Sequence, residues 1–347
     1  MRYSIIETIS PVSSYIIEGE NKIFRMGKSI FEAGVYFNEN FVANNVGNTH
    51  ILGESLLFTK FDSEGLFQFK KGEISLIHPS AKIRALVGYS KSFFVELGEN
   101  QIYQYHEGEE IADYAKKQTA VAFKRIIGAD QIDKGFEIAE DQLSCYNLPN
   151  FELLWSISDS EYGKHRTYFI GTVEDTLYLY IFPDILIAID IIDGKIKWRL
   201  KNFFLNDTIR SHFSLQEALT SRTPIHWTLD KVNKKAYLLS RYYLIECNLE
   251  NQVLTLLKDY TQMPLSEQKV FYHAYFHEGY LYYQGYSRSN SFFTDSIGIF
   301  DIVQNKIIWE YIHPIKGHFF IEPPQLNVNR LYVLDDQYVL HIFEQYT

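Results

Sequence analysis

The segment Ala188 to Trp198 reads A-I-D-I-I-D-G-K-I-K-W, and it returns as Ile299 to Trp309, I-F-D-I-V-Q-N-K-I-I-W. In both copies an Asp stands eight residues before a Trp and a Lys stands three before it. A short polar turn, Asp193-Gly194 or Gln304-Asn305, lies between. Such spacing marks a supersecondary unit copied along the chain. One unit cannot bury its own apolar faces, so the units must stack.

Weaker copies surround these two. Cys145 to Trp155 keeps the frame, with Asn147 in the Asp position. Ile245 to Thr255 keeps a polar turn at Glu250-Asn251, with Cys247 in the Asp position and Thr255 in the Trp position. Gln104 to Ala112 carries a Glu107-Gly108 turn and Gln68 to Leu76 a Lys71-Gly72 turn, while Asn21 to Arg25 echoes Asn305 to Trp309. Most units follow another strand-like run. These runs begin at Ser55, Ser92, Gly135, Leu177, Ala236, Tyr280 and Leu331, between 37 and 59 residues apart. An aromatic share of 16% favours strands. Several short strands per period of about 40 to 50 residues predict propeller blades. The strands are apolar at nearly every position because each blade is covered on both sides by its neighbours. Trp198 and Trp309 then fall on the outer strand, and Trp155 marks the same repeat position in the Cys145 copy. There an indole can span the gap between blades and offer its N–H to a backbone acceptor.

Ala188, Asp190, Gly194, Lys195 and Trp198 resemble the repeat of the pyrroloquinoline-quinone-like (PQQ-like) propellers, an Ala, an Asp, a Thr-Gly-Lys turn and a Trp, with Asp193 here in place of Thr. Asp301, Lys306 and Trp309 match it in part. The resemblance implies an all-β propeller. It leaves function open, because the family holds both quinoprotein dehydrogenases and non-enzymatic scaffolds.

The expected architecture is one domain over residues 1–347, with seven blades of four antiparallel strands and eight as the alternative. The final blade lacks an outer strand, which Arg2 to Thr8 would supply, closing the ring and removing an edge. Lys22 to Met26 is the rival closing strand.

Three segments interrupt the repeat. Ser214-Leu215-Gln216-Glu217 has a capping-box pattern and predicts a short helix over 214–220. Residues 111–127 carry a possible helical turn with Lys116, Lys117, Lys124 and Arg125. Residues 286–296 contain Tyr286, Arg288, Phe292 and Phe293, the composition of an interface hot spot. These four are the candidate partner-binding residues, against the alternative of a long hairpin folded on its blade.

Recognisable catalytic chemistry is missing from the sequence. It has no Gly-rich phosphate loop and no G-x-S-x-G elbow. Asp190 and Asp301 recur at one repeat position, which points to turn hydrogen bonding. His273 and His277 are four apart in a strand-like run, on one face but distant, and zinc would need further ligands. No metal or cofactor is therefore expected. His313, His318 and His341 suit a core or a channel. Quinone enzymes of the resembled family typically bind calcium, and many carry adjacent cysteines; here only Cys145 and Cys247 occur.

A formal charge of −10 argues against a nucleic-acid partner and suits a basic protein. No apolar run reaches the length of a membrane helix, and an acid at Glu7 is unlike a signal peptide. Two cysteines far apart fit a reducing compartment. The expectation is a cytoplasmic, non-enzymatic propeller that binds a protein partner, one version being an immunity-type protein against a basic toxin. The alternative is a hydrolase or lyase acting on a small or sugar-like substrate in the central channel.

Overall fold

The structure is a computed structural model. It describes residues 2–18, 21–27, 34–52, 54–61, 65–78, 85–89, 92–97, 101–106, 126–129, 134–139, 141–147, 152–159, 162, 167–182, 185–201, 226–240, 242–264, 267, 269–286 and 294–346.

The chain opens with β1 (Arg2–Ile9). Eight antiparallel sheets then follow in sequence order. Sheet 1 holds β2 (Val12–Glu18), β3 (Asn21–Met26), β4 (Gly34–Phe37) and β5 (Asn40–Asn44). Sheet 2 holds β6 (Val46–Leu52), β7 (Ser55–Lys60), β8 (Leu66–Lys70) and β9 (Glu73–His78). Sheet 3 has three strands, β10 (Ala85–Tyr89), β11 (Ser92–Leu97) and β12 (Gln101–His106). Sheet 4 holds β13 (Ile126–Ala129), β14 (Lys134–Ala139), β15 (Gln142–Asn147) and β16 (Glu152–Ser158). Sheet 5 holds β17 (Thr167–Val173), β18 (Thr176–Ile181), β19 (Ile185–Asp190) and β20 (Ile196–Lys201). Sheet 6 holds β21 (His226–Asp230), β22 (Lys235–Ser240), β23 (Tyr243–Asn248) and β24 (Leu254–Asp259). Sheet 7 holds β25 (Val270–His277), β26 (Tyr280–Tyr286), β27 (Ser296–Asp301) and β28 (Lys306–Ile312). Sheet 8 holds β29 (Gln325–Asn327), β30 (Arg330–Leu334) and β31 (Leu340–Tyr346), with β1 as its fourth strand.

The fold is thus an all-β propeller. Seven sheets have the expected four strands; β10–β12 adds an eighth sheet, the number held as the alternative. All seven strand-like runs recognised in the sequence are second strands of sheets 2 to 8. The N-terminal strands β2 to β5 form sheet 1. Its β3 contains Lys22 to Met26, which is therefore a second strand and not the closing one. Closure falls to β1, which pairs with β31 from Arg2↔Tyr346 to Ile9↔Leu340. Val12, Tyr15 and Phe24 of sheet 1 then pack on Tyr332, Leu334, Leu340 and Ile342 of sheet 8.

Sheet 5 shows why both faces are apolar. Leu177, Leu179 and Ile181 of β18 pack with Phe136, Leu143 and Cys145 of sheet 4. Tyr178 and Tyr180, one step out of phase, pack with Trp227, Leu238 and Ile245 of sheet 6. The period of two sends alternate residues to opposite neighbours, so both sets are mainly apolar. Most of the predicted helical segments lie outside the described residues; the end of the second, Ile126-Ile127, opens β13.

Candidate functional site

Antiparallel connectivity sorts every loop onto one of two faces. The first strands of successive sheets neighbour one another, as β17 does β21 and β21 does β25. All sheets therefore run the same way from the inside outward. Turns joining first to second and third to fourth strands share one face, and we call it the hairpin face. Its longest connections among the described sheets, 191–195 and 249–253, have five residues. In the four-stranded sheets, connections from second to third strands, and from one sheet to the next, leave from the opposite face, which we call the loop face. Among the described residues these include 260–264 and 313–324.

The hairpin face is built by the repeat. Asp190 Oδ1 accepts from the N–H of Ile192 at 2.8 Å. Asp301 Oδ1 accepts from Gln304 N–H at 2.8 Å, and Asp230 Oδ1 from Asn233 N–H at 3.0 Å. In sheet 6 the same role falls to Asn248, which accepts from Glu250 N–H at 3.0 Å. It stands one residue after Cys247, so the Cys247 alignment was out by one, and Cys247 instead faces the core. Four residues after each of these side chains the backbone turns left-handed, at Gly194, Asn305, Lys234 and Gln252. Trp155 donates its indole N–H across the gap to Ile191 O at 2.7 Å. Trp309 donates to Tyr3 O at 3.3 Å, tying sheet 7 to the closing strand. Trp198 packs against Tyr178, ring centroids 5.9 Å apart.

The loop face carries the polar cluster. His313 follows β28, Asp335 follows β30 and His341 lies in β31, and all three are buried. Their ligand atoms lie within 4.8 Å of one another. Asp335 Oδ2 is 2.8 Å from His341 Nε2 and 3.3 Å from His313 Nε2. Its Oδ1 accepts from the N–H groups of Gln337 and Val339, each at 2.9 Å. Burial pushes the Asp335 carboxyl up, but hydrogen bonds from His341, Val339 and His313 outweigh it and hold the group down at about 2. A second pair, His318 and Asp336, sits alongside at 3.1 Å.

The strap that carries His313 and His318 is fixed at both ends. At the first end His313 N–H donates to Asp295 O at 2.8 Å; at the second Phe320 N–H donates to Thr294 O at 2.9 Å and Ile321 N–H to Leu334 O at 2.9 Å. Gln284 donates its amide to Phe320 O as well. On the outer side of this strap Ile315 and Ile321 are 56% and 42% exposed.

Tyr286 ends β26 on this same face. Arg288, Phe292 and Phe293 lie outside the described residues. His273 and His277, weighed as ligands in the sequence, both sit in β25, with His277 exposed and 3.8 Å from Glu278. The sequence placed His313 and His341 in a core or channel. It gave no sign of their convergence, because Asp335 is 22 residues from one and 6 from the other.

A cleft of about 320 Å³ lies at the seam of sheets 1 and 8, lined by Phe24, Tyr36 and Tyr332 and by Glu7, Lys22 and Glu39.

No protein-family model and no curated protein matches the sequence. Solved structures match its fold. Sqt1 from Saccharomyces cerevisiae superposes with a TM-score of 0.60 at 10% identity, covering 99% of this chain and 98% of that one. The C-terminal WD40 domain of Sif2 gives 0.60 at 9% identity, covering 99% of each chain. BamB from Moraxella catarrhalis gives 0.54 at 11%, covering 99% and 98%. At these identities the likeness is one of fold.

Proposed function

We propose that this chain is a non-enzymatic propeller scaffold that binds a protein partner through its loop face, and that its blades carry the PQQ-like type of repeat. The observation that carries the reading is the asymmetry of the two faces. The described turns on one are short, and those after Asp190, Asp230, Asn248 and Asp301 are closed by these side chains. The other bears the strap 313–324 with the exposed Ile315 and Ile321, and the end of β26 at Tyr286; Arg288, Phe292 and Phe293, which follow it in sequence, complete the proposed partner-binding set. Loops held on a rigid frame are where propellers place recognition. The Asp-turn-Gly-Lys-Trp geometry of sheets 4 and 5 supports the repeat type. The resemblance to a WD40 domain is in keeping with a scaffold.

A charge of −10 favours a basic partner, drawn in at long range, and an immunity-type role is one form this takes. A reducing, cytoplasmic setting suits Cys145 and Cys247, both buried free thiols raised to about 12 by burial. A hydrolase or lyase would need convergent polar groups open to substrate, whereas His313, Asp335 and His341 are almost wholly covered.

The test is affinity purification of the tagged chain from its native cells at low and at high salt. A stoichiometric partner of high isoelectric point, retained at low salt and weakened at high salt, is the expected result. Recovery of no partner at low salt overturns the proposal.

A further inference from the structure

His313, Asp335 and His341 do more than a hydrogen-bonded core triad requires. We propose that they form a binding site for a divalent transition ion of the zinc class, which ties the strap between sheets 7 and 8 to the corner of sheet 8. This inference is independent of the scaffold reading and stands or falls on its own chemistry.

The donor set is two imidazoles and one carboxylate. That combination suits zinc and its neighbours and does not suit calcium or magnesium, which take oxygen ligands. Ligand atoms around a tetrahedral ion bound at about 2.0–2.1 Å stand roughly 3.3 Å apart. Here Oδ2 is 2.8 and 3.3 Å from the two Nε2 atoms, and all three lie within 4.8 Å. An ion among them exchanges two contacts on one oxygen for three coordinate bonds, with small movements of the rings.

The surroundings already hold the ligands as a metal site would. Asp335 Oδ1 is fixed by two backbone N–H groups, leaving Oδ2 to the histidines. His313 Nδ1 lies 3.2 Å from both the N–H and the carbonyl of Ile315. With the ring proton on Nδ1 it donates to the Ile315 carbonyl and frees the Nε2 lone pair for an ion, at the cost of the acceptor that the Ile315 N–H otherwise uses. A ring nitrogen oriented by a backbone carbonyl is the usual outer partner of a ligating histidine. His341 Nδ1 is buried with no hydrogen-bond partner among the described residues. It is not the coordinating atom: with Nε2 on the ion, Nδ1 carries the ring proton. Three protein ligands leave a fourth position for water.

The experiment uses the full chain, stripped with a chelator and titrated with Co²⁺. The expected result is an intense four-coordinate visible band that saturates at about one equivalent and is abolished by Zn²⁺. His341→Gln and His313→Gln should weaken binding by about tenfold or more, as loss of a ligand does. His318→Gln, outside the ligand set, should leave it unchanged. Zn²⁺ should raise the melting temperature of the wild type and not of His341→Gln. A weak six-coordinate spectrum, or no uptake by the wild type, overturns the proposal even where the variants fail to fold. So does a His341→Gln protein that binds as the wild type does.

Discussion

Trp155 and Gly194 belong to different blades and depend on each other. A Cβ on Gly194 would stand 2.7 Å from the Trp155 ring, and the residue holds φ at +74°. Gly194→Ala therefore meets both a clash and a left-handed strain, and should destabilise by about 1–3 kcal/mol. Trp155→Ala should cost about 3–5 kcal/mol, while Trp155→Phe, which loses the 2.7 Å bond to Ile191 O, should cost about 1–3 kcal/mol. Urea unfolding of the three variants checks the order. The Asp, the turn and the Trp were legible in the sequence because each copy repeats them. That the glycine serves the tryptophan of the preceding blade was not, because the two lie in separate copies 39 residues apart.

His50 gives the residue scale a pH signature. Burial on β6 lowers it to about 4, against about 6.5 in an unfolded chain. Between these values the unfolded state binds the extra proton. The stability from this group is fully present above about pH 6.5 and is lost as pH falls toward 4. His273, lowered by burial as well, acts in the same direction. His50→Gln should flatten the fall in urea midpoint between pH 7 and 4.5; an unchanged slope would show that His50 titrates normally.

Among the elements, β1 has the largest consequence for its length. It supplies the outer strand of sheet 8, and Tyr3 receives the Trp309 indole and packs on its ring at 5.3 Å between centroids. Removing residues 2–9 bares the edge of β31 and the packing of Trp309. The truncated chain should melt at least several degrees lower and self-associate through the open edge. Unchanged melting and a monomeric profile on sizing would mean that closure contributes little. The sequence pointed to this strand because the last blade ran out of chain. It did not reveal sheet 1, whose strands carry no Asp-turn-Trp unit: β4 and β5 are joined at Asn38-Glu39, both at positive φ.

At the scale of the whole molecule, the repeat fixes a frame and divides it into two unlike faces. The periodic residues account for the turns of the hairpin face, and the strap 313–324 lies on the other. Periodicity made the frame readable. The His313–Asp335–His341 cluster escaped it because nothing in one copy foretells contacts made by a connection between copies. The loop face is the part of the account that assigns function, and charge alone could mimic its effect. The decisive measurement is therefore the affinity of the co-purified partner at one salt concentration for two variants carrying the same added charge. Ile315→Arg with Ile321→Arg alters the loop face. Val232→Arg with Val303→Arg alters the hairpin face, where both valines are 90% exposed. The account predicts at least about a tenfold loss, about 1.4 kcal/mol, for the first pair and little change for the second. Equal losses, or a loss confined to the second pair, would contradict it.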